Sequence, residues 1–240
     1  MASLESNLKM VRETIARSAE KAGRDASEVK LLCVTKTVGI AEIQQLYRLG
    51  ERRIGESRVQ SAGKKIAQIP SLGVEWHLIG HLQTNKVKHS LDLFQMIHSV
   101  DSLHLAEAIS KRATMLEIVF PILIEVNVSG EASKYGVPLE TLQPETEGQE
   151  PVWGLVDLTA RIARLPGLEM RGLMTMAPFD ADAEAVRPVF RKLRQLRDEL
   201  NQRGLTPQPL VELSMGMTND YPVAVEEGAT YVRIGSALFA

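Results

Sequence analysis

A single cysteine, Cys33, is all that 240 residues contain. An intramolecular disulfide is excluded, and the composition suits a reducing compartment. Excess charge of either sign is nearly missing too, with 28 Lys and Arg against 30 Asp and Glu. That balance gives no reason to expect a broad nucleic-acid or anionic-membrane surface. No stretch approaches the roughly 18 apolar residues that a membrane span needs. The segment at about 3–22 carries charges throughout, so it reads as an amphipathic helix and not as a signal peptide. A cytoplasmic location is the expectation. Familiar catalytic signatures are missing as well. No GxGxxG follows the first strand, no HExxH or carboxylate cluster accompanies His77 and His81, and no GxSxG elbow occurs. No metal site is expected.

What the chain does have is rhythm. Short apolar, β-branched runs occur at 29–35, 53–56, 75–80, 94–100, 122–128, 170–175, 210–214 and 231–235. Helical periodicity lies between several of them. Ile43, Leu46 and Tyr47 share a face in 40–49, as do Leu105, Ala108 and Ile109 in 102–113. Val189, Phe190, Leu193, Leu196 and Leu200 do so in 186–200, with Arg203-Gly204 as a stop. Strands that are mostly continuous in apolar character argue for parallel pairing. Eight such units, in a chain close to the usual length of about 250 residues, predict one α/β domain over 1–240, a (β/α)8 TIM barrel. A doubly wound open sheet is the competing architecture. One insertion, about 137–151, is acidic and turn-rich and reads as a surface loop. A closed barrel has no edge strand to cover, so a monomer is expected.

Active sites on such barrels lie at the C-terminal ends of the strands. That rule selects Lys36, Glu56, 77–81, 98–101, Asn127, 174–176, 214–217 and 233–236. Lys36 closes the first strand beside low-dielectric core. Desolvation there would favour the free amine and Schiff-base chemistry, although a lysine snorkelling at the rim is the plainer alternative. Ser214-Met215-Gly216-Met217-Thr218 and Arg233-Ile234-Gly235-Ser236 each join glycine to hydroxyl residues. Barrels often bind phosphate after strands seven and eight, and these segments are either that or two ordinary turns. Arg233 needs a partner wherever it is buried. It either pairs with an acid such as Glu212 or faces a ligand ring, where it would donate to a pyridine nitrogen while staying protonated. Thr84 or Asn85 would cap or bond the loop after the third strand, and Cys33 reads as core.

These residues together resemble the YggS/PROSC family of pyridoxal phosphate homeostasis proteins. The resemblance runs through VTKTVG at Lys36, GE at Gly55-Glu56, WHLIGHLQTNK from Trp76 and IHSVDS from Ile97. It continues with EVNVSGEASKYG from Glu125, GLMTMAP from Gly172, LSMGMTND from Leu213 and VRIGSALF from Val232. It implies a barrel like the N-terminal domain of bacterial alanine racemase, with pyridoxal 5'-phosphate carried on Lys36 as a Schiff base. Ser214, Gly235 and Ser236 would hold the phosphate, helped by backbone near Gly216 and Thr218, and Arg233 would approach the pyridine nitrogen. Met217 and Asn85 are further pocket candidates, and Lys134 matches a family lysine that offers a secondary site. The family's usual GEN is Gly55-Glu56-Ser57 here, which puts Ser57 where the asparagine stands, and its SNK is Thr84-Asn85-Lys86.

The resemblance implies a non-enzymatic role: binding the cofactor, buffering its level and handing it to apoenzymes. A racemase-like enzyme is the alternative. That chemistry needs a second proton-transfer group, supplied in alanine racemase by a tyrosine associated with another domain. No room for such a domain is expected after Phe239-Ala240. Of the four tyrosines at 47, 135, 221 and 231, Tyr135 is the one to watch. A barrel binding some other phosphate ester is a third reading.

Overall fold

The eight apolar runs pair strictly in sequence order, each parallel to the next, and the last returns to the first to close a barrel. In the computed structural model, which describes residues 3–131, 135–141, 152–178 and 182–240, the strands are β1 (Lys30–Val34), β2 (Arg53–Glu56), β3 (Glu75–Leu78), β4 (Met96–Val100), β5 (Phe120–Glu125), β6 (Leu168–Met174), β7 (Glu212–Ser214) and β8 (Tyr231–Ile234). Closure is made by Lys30 to Cys33 of β1 against Tyr231 to Ile234 of β8. The (β/α)8 architecture read from the sequence is the one found.

Strand limits differ in one consistent way. The expected runs at 29–35, 75–80, 122–128 and 231–235 stop earlier, because ladder pairing ends before the apolar pattern does. The residues left over become loop residues at the C-terminal mouth. β5 also starts earlier than its run, since Pro121 lies inside the strand and pairs in register with Glu169.

Outside the strands lie α1 (Leu4–Lys21), α2 (Ile40–Arg48), α3 (Val59–Ile66), α4 (Val87–Leu93), α5 (Leu103–Met115), α6 (Leu155–Ile162), α7 (Arg187–Gln202), α8 (Tyr221–Glu226) and α9 (Ser236–Phe239). Ser3 caps α1 by accepting from the Ser6 amide, and Ser102 caps α5 by accepting from the Leu105 amide. The apolar stripe of α1, Leu8, Val11, Ile15 and Ala19, is buried, and the helix packs against α8 and α9. In α7, Phe190, Leu193 and Leu200 are almost fully buried, each contributing roughly 1.5–3 kcal/mol. Gly204, at φ +61°, follows that helix where the sequence placed its stop.

The barrel interior is not uniformly apolar. Met96, Leu123 and Met174 form a small cluster of their own. His77, His98, Glu125, Ser214 and Arg233 are buried as well. Of the insertion expected at 137–151, Val137 bridges to Val126, while residues 142–151 and Lys134 lie outside the described residues. No described helix is long and apolar enough to cross a membrane.

Candidate functional site

A cavity of about 530 Å³ opens at the C-terminal mouth, the end that barrels of this kind use for chemistry. One wall comes from the exit of β1 (Val34, Lys36, Thr37), and the next from the loops after β2 and β3 (Ser57, Ile79, Gly80). The turn after β7 (Met217 to Asp220) and the exit of β8 (Gly235, Ser236) face them, with Met176 and Arg233 completing the surface.

Lys36 stands two residues beyond the last paired residue of β1. Its side chain is exposed and makes no hydrogen bond or ion pair with any described residue. The low-dielectric setting expected for it is not found, because the strand ends at Val34 and the chain has turned outward before Lys36. Instead the structure provides an unpartnered primary amine at the rim of a cavity.

Arg233 is the opposite case, a guanidinium with 4% of its surface exposed. Its Nη1 donates to Ser214 Oγ at 2.8 Å and its Nη2 to the Thr175 carbonyl at 2.8 Å. Burial pulls its pKa down from 12.5 to about 10, against the pull of Glu125 and Asp220. The group still carries its charge at neutral pH. The ion pair with Glu212 is not made, since Glu212 instead accepts from Lys30 and Thr230.

The turn after β7 and the start of α9 form the third part of the site. Gly216 has φ +93°, and a Cβ there would lie 2.5 Å from the Ala224 methyl, so only glycine fits. A Cβ at Gly235 would press to 3.2 Å from the Val34 carbonyl oxygen. The Thr218 and Ser236 hydroxyls are 3.1 Å apart, and the Ala237 amide donates to Thr218 Oγ1 at 3.4 Å. The Asp220 carboxylate accepts from the Met217 amide at 2.6 Å and holds this turn in shape. Its own pKa is raised, burial outweighing that bond.

Of the candidates from the sequence, Lys36, Ser57, Met217, Thr218, Arg233, Gly235 and Ser236 meet on this one cavity. Ser214 and Gly216 do not line it; Ser214 is fully buried and bonded to Arg233. Asn85 sits in the exposed turn Thr84–Lys86 and is not part of the wall. Glu56 turns toward α3, where it accepts from Lys65 and Thr35. Asn127 shapes its own turn by accepting from the Gly130 amide. Tyr135 stacks on His81, with ring centroids 4.4 Å apart, and His81 bonds Asp101 at 3.0 Å; none of the three lines the cavity. The sequence reading missed Thr37, Asn219 and Asp220. An Asp just before a Pro-started helix was the available signal for the last of these.

The residues present fit a ligand that joins an aldehyde, a ring nitrogen and a phosphate. An unpartnered amine, a buried cation and hydroxyl donors beside tight glycine turns share one cavity of suitable size. Comparison with known proteins points the same way. The family described as "Alanine racemase, N-terminal domain" matches residues 4–240. A pyridoxal phosphate homeostasis protein of Aquifex aeolicus is 45% identical over 97% of this chain and 95% of that protein. Another from Pseudomonas aeruginosa is 37% identical over 100% of this chain and 96% of that one. Among solved structures, PipY of Synechococcus elongatus with PLP bound superposes at TM-score 0.79 with 33% identity, covering 99% of this chain and 100% of that one. Alanine racemase of Clostridium difficile, at 16% identity and TM-score 0.71, shares the fold over 99% of this chain and 56% of its own.

Proposed function

This chain belongs to the alanine racemase N-terminal domain family and, within it, to the pyridoxal phosphate homeostasis proteins, and on that premise we propose that it binds pyridoxal 5'-phosphate through Lys36 and buffers or delivers it without a reaction of its own. The observation that carries this reading is the free Lys36 amine on the same cavity as the buried Arg233 guanidinium.

When bound, the cofactor supplies an aldehyde that condenses with amines and a phosphate that requires N–H and O–H donors. Lys36 would be the amine: it is exposed and has no partner among the described residues. Thr218 and Ser236 offer hydroxyls for the phosphate, with the backbone amides of Gly216 and Thr218 beside them. Ser57 contributes a further hydroxyl from the β2 side. Arg233 would offer the ring nitrogen a donor that keeps its proton. A protonated arginine leaves that nitrogen unprotonated and weakens the ring as an electron sink, which suits holding over turnover. The tyrosines agree with this, for Tyr47 packs under Arg52, Tyr221 and Tyr231 are buried, and Tyr135 stacks on His81.

Cytoplasmic PLP-dependent apoenzymes and free amino acids are the partners that this chemistry would serve, through the open mouth where Lys36 stands. A monomer suffices, because the closed barrel presents no unpaired sheet edge. The test is borohydride reduction of the protein incubated with the cofactor, followed by mass spectrometry alongside Lys36→Ala. One pyridoxyl group on Lys36, absent from the variant, is the expected result. No adduct, or equal scattered labelling of both proteins, would overturn the reading.

A further inference from the structure

Behind the cavity, the polar residues inside the barrel form a line. Arg233 Nη1 donates to Ser214 Oγ at 2.8 Å; Ser214 Oγ is 2.9 Å from His98 Nδ1; His98 Nε2 is 2.9 Å from His77 Nδ1; and His77 Nε2 is 3.8 Å from Glu75 Oε2. The links run from β8 to its neighbour β7, across the interior from β7 to β4, and from β4 to its neighbour β3. Ser214 and His98 are fully buried, and His77 is 2% exposed. The far end, Glu75, is exposed at the opposite mouth, where it also pairs with Arg53.

We propose that Arg233, Ser214, His98 and His77 form one directional hydrogen-bond chain inside the barrel, with the Glu75 carboxylate in ion-pair range of its far end, in which His98 and His77 are positioning residues that aim the Arg233 guanidinium into the cavity. The Arg233 end decides the direction. Arg233 can only donate, so Ser214 accepts from it and has one hydrogen to give. That hydrogen goes to His98 Nδ1, 2.9 Å away, so a neutral His98 carries its own hydrogen on Nε2 and His77 accepts it on Nδ1. His98 then donates from Nε2 to His77 and accepts on Nδ1 from Ser214. Reversing the links would leave the Ser214 hydrogen without an acceptor in a buried site, whereas this order also turns the His77 Nε2 hydrogen toward the Glu75 carboxylate, 3.8 Å away.

The chain therefore requires both imidazoles to be neutral Nε2–H tautomers. Their surroundings agree. Burial lowers both His pKa values, and the charged groups around them are Arg233 on one side and Glu75, Arg53 and Lys30 on the other. The Tyr231 ring lies edge-on to His98 at 5.2 Å and tilted to His77 at 5.6 Å, fixing both planes. A consequence for the site is that the single hydrogen of Ser214 is committed to His98. Ser214 then serves Arg233, and it has no hydrogen left for a phosphate.

The cavity-facing half of the proposal rests on the cofactor reading above, whereas the chain itself does not. Two measurements separate them. Long-range 1H–15N spectra of the cofactor-free protein near neutral pH should show His77 and His98 with unprotonated Nδ1 and protonated Nε2. An Nδ1–H tautomer or an imidazolium at either position would overturn the chain, whatever the protein binds. Titration with pyridoxal 5'-phosphate should then show Ser214→Ala and His98→Leu binding about tenfold more weakly than the native protein, the size of one lost hydrogen bond to a charged group. Pyridoxyl labelling of Lys36 should survive in both, while the pH profile of the bound cofactor's absorption shifts as its ring nitrogen loses a fixed donor. Native affinity together with a native pH profile in both variants would overturn the positioning role. Failure of the native protein to bind would sink the cofactor reading and leave the tautomer result standing.

Discussion

Lys65 Nζ, on α3, donates to the carbonyl oxygen of Thr35 at 2.6 Å, so the peptide group immediately before Lys36 is held by a second lysine. The same ammonium donates to Glu56 Oε1 at 2.7 Å, and Thr35 Oγ1 donates to that oxygen as well. The side chains of the pair are 12% and 1% exposed, and Glu56 Oε2 has no partner among the described residues. With two of its hydrogens committed, Lys65 is tied up structurally, while Lys36 has no partner among the described residues.

Removing Lys65 would strand the Glu56 carboxylate in the interior. Breaking a buried pair from one side costs about 3–5 kcal/mol. Lys65→Ala should therefore lose about 3 kcal/mol in urea unfolding, and its Lys36 should take up pyridoxal phosphate more slowly. A loss below about 1 kcal/mol would mean that the pair contributes nothing beyond a surface bridge.

Glu125, at the end of β5, gives a pH signature. Burial first, and the nearby Asp101 second, raise its pKa from 4.5 to about 7 against the pull of Arg233. The folded protein thus holds this proton more tightly than the unfolded chain does. The stabilisation is fully present below pH 4.5 and is lost as pH rises to about 7. Glu125→Gln should remove the effect. Relative to the native protein, its stability should rise by roughly 3 kcal/mol between about pH 4 and about pH 8. Urea midpoints for the two proteins across that window check it, and parallel curves would refute it.

How far the sequence revealed this molecule depends on what kind of signal each part left. The strands were legible because parallel barrel strands are buried on both faces and read as apolar runs. Of the helices, α1, α2, α5 and α7 were legible, being long enough to show a periodic stripe. α3, α4, α6, α8 and α9 are four to eight residues long and show too few turns for one. At the site, Lys36, Arg233 and Gly235 followed from the rule about strand ends. Glu56 satisfied the same rule yet faces away from the cavity. β2 has only four residues, and its inward-facing position is Gly55, beside Leu32 and Ile79. The pairing of His77 with His98 was invisible as well, because 21 residues separate them and only neighbouring strands bring them together. The exposure of Lys36 was misjudged for a related reason: an apolar pattern does not say where pairing stops.

Gly80 marks where the β2 and β3 loops touch on the cavity wall. A Cβ at this position would collide with the Ser57 carbonyl oxygen, which is backbone and cannot swing aside. Ser99 Oγ also donates to the Gly80 carbonyl at 2.7 Å, so the segment is held from behind. Gly80→Ala must displace the Ser57 backbone on the cavity wall. The expected outcome is a loss of about 1–3 kcal/mol, in the range for overpacking, together with weaker binding of pyridoxal phosphate. Unchanged thermal stability with unchanged affinity would show that the two loops move independently.

The start of the chain supports the site through its end. Asn7, 5% exposed on α1, donates from Nδ2 to the Leu238 carbonyl at 3.0 Å and to the Ala240 carbonyl at 3.3 Å. α9, which those carbonyls close, begins at Ser236 on the cavity wall. Asn7→Ala loses both bonds and should cost about 1–2 kcal/mol. Asn7→Asp should cost more at neutral pH, because a carboxylate would then face two carbonyl oxygens with no hydrogen to give. Acidification should recover part of that loss, since a protonated acid can donate once more. The site-specific readout is amide hydrogen exchange: residues 236–240 should lose protection in both variants before the barrel strands do. If they exchange no faster than in the native protein, α9 is held by its apolar contacts alone, and Asn7 has no part in shaping the phosphate side of the cavity.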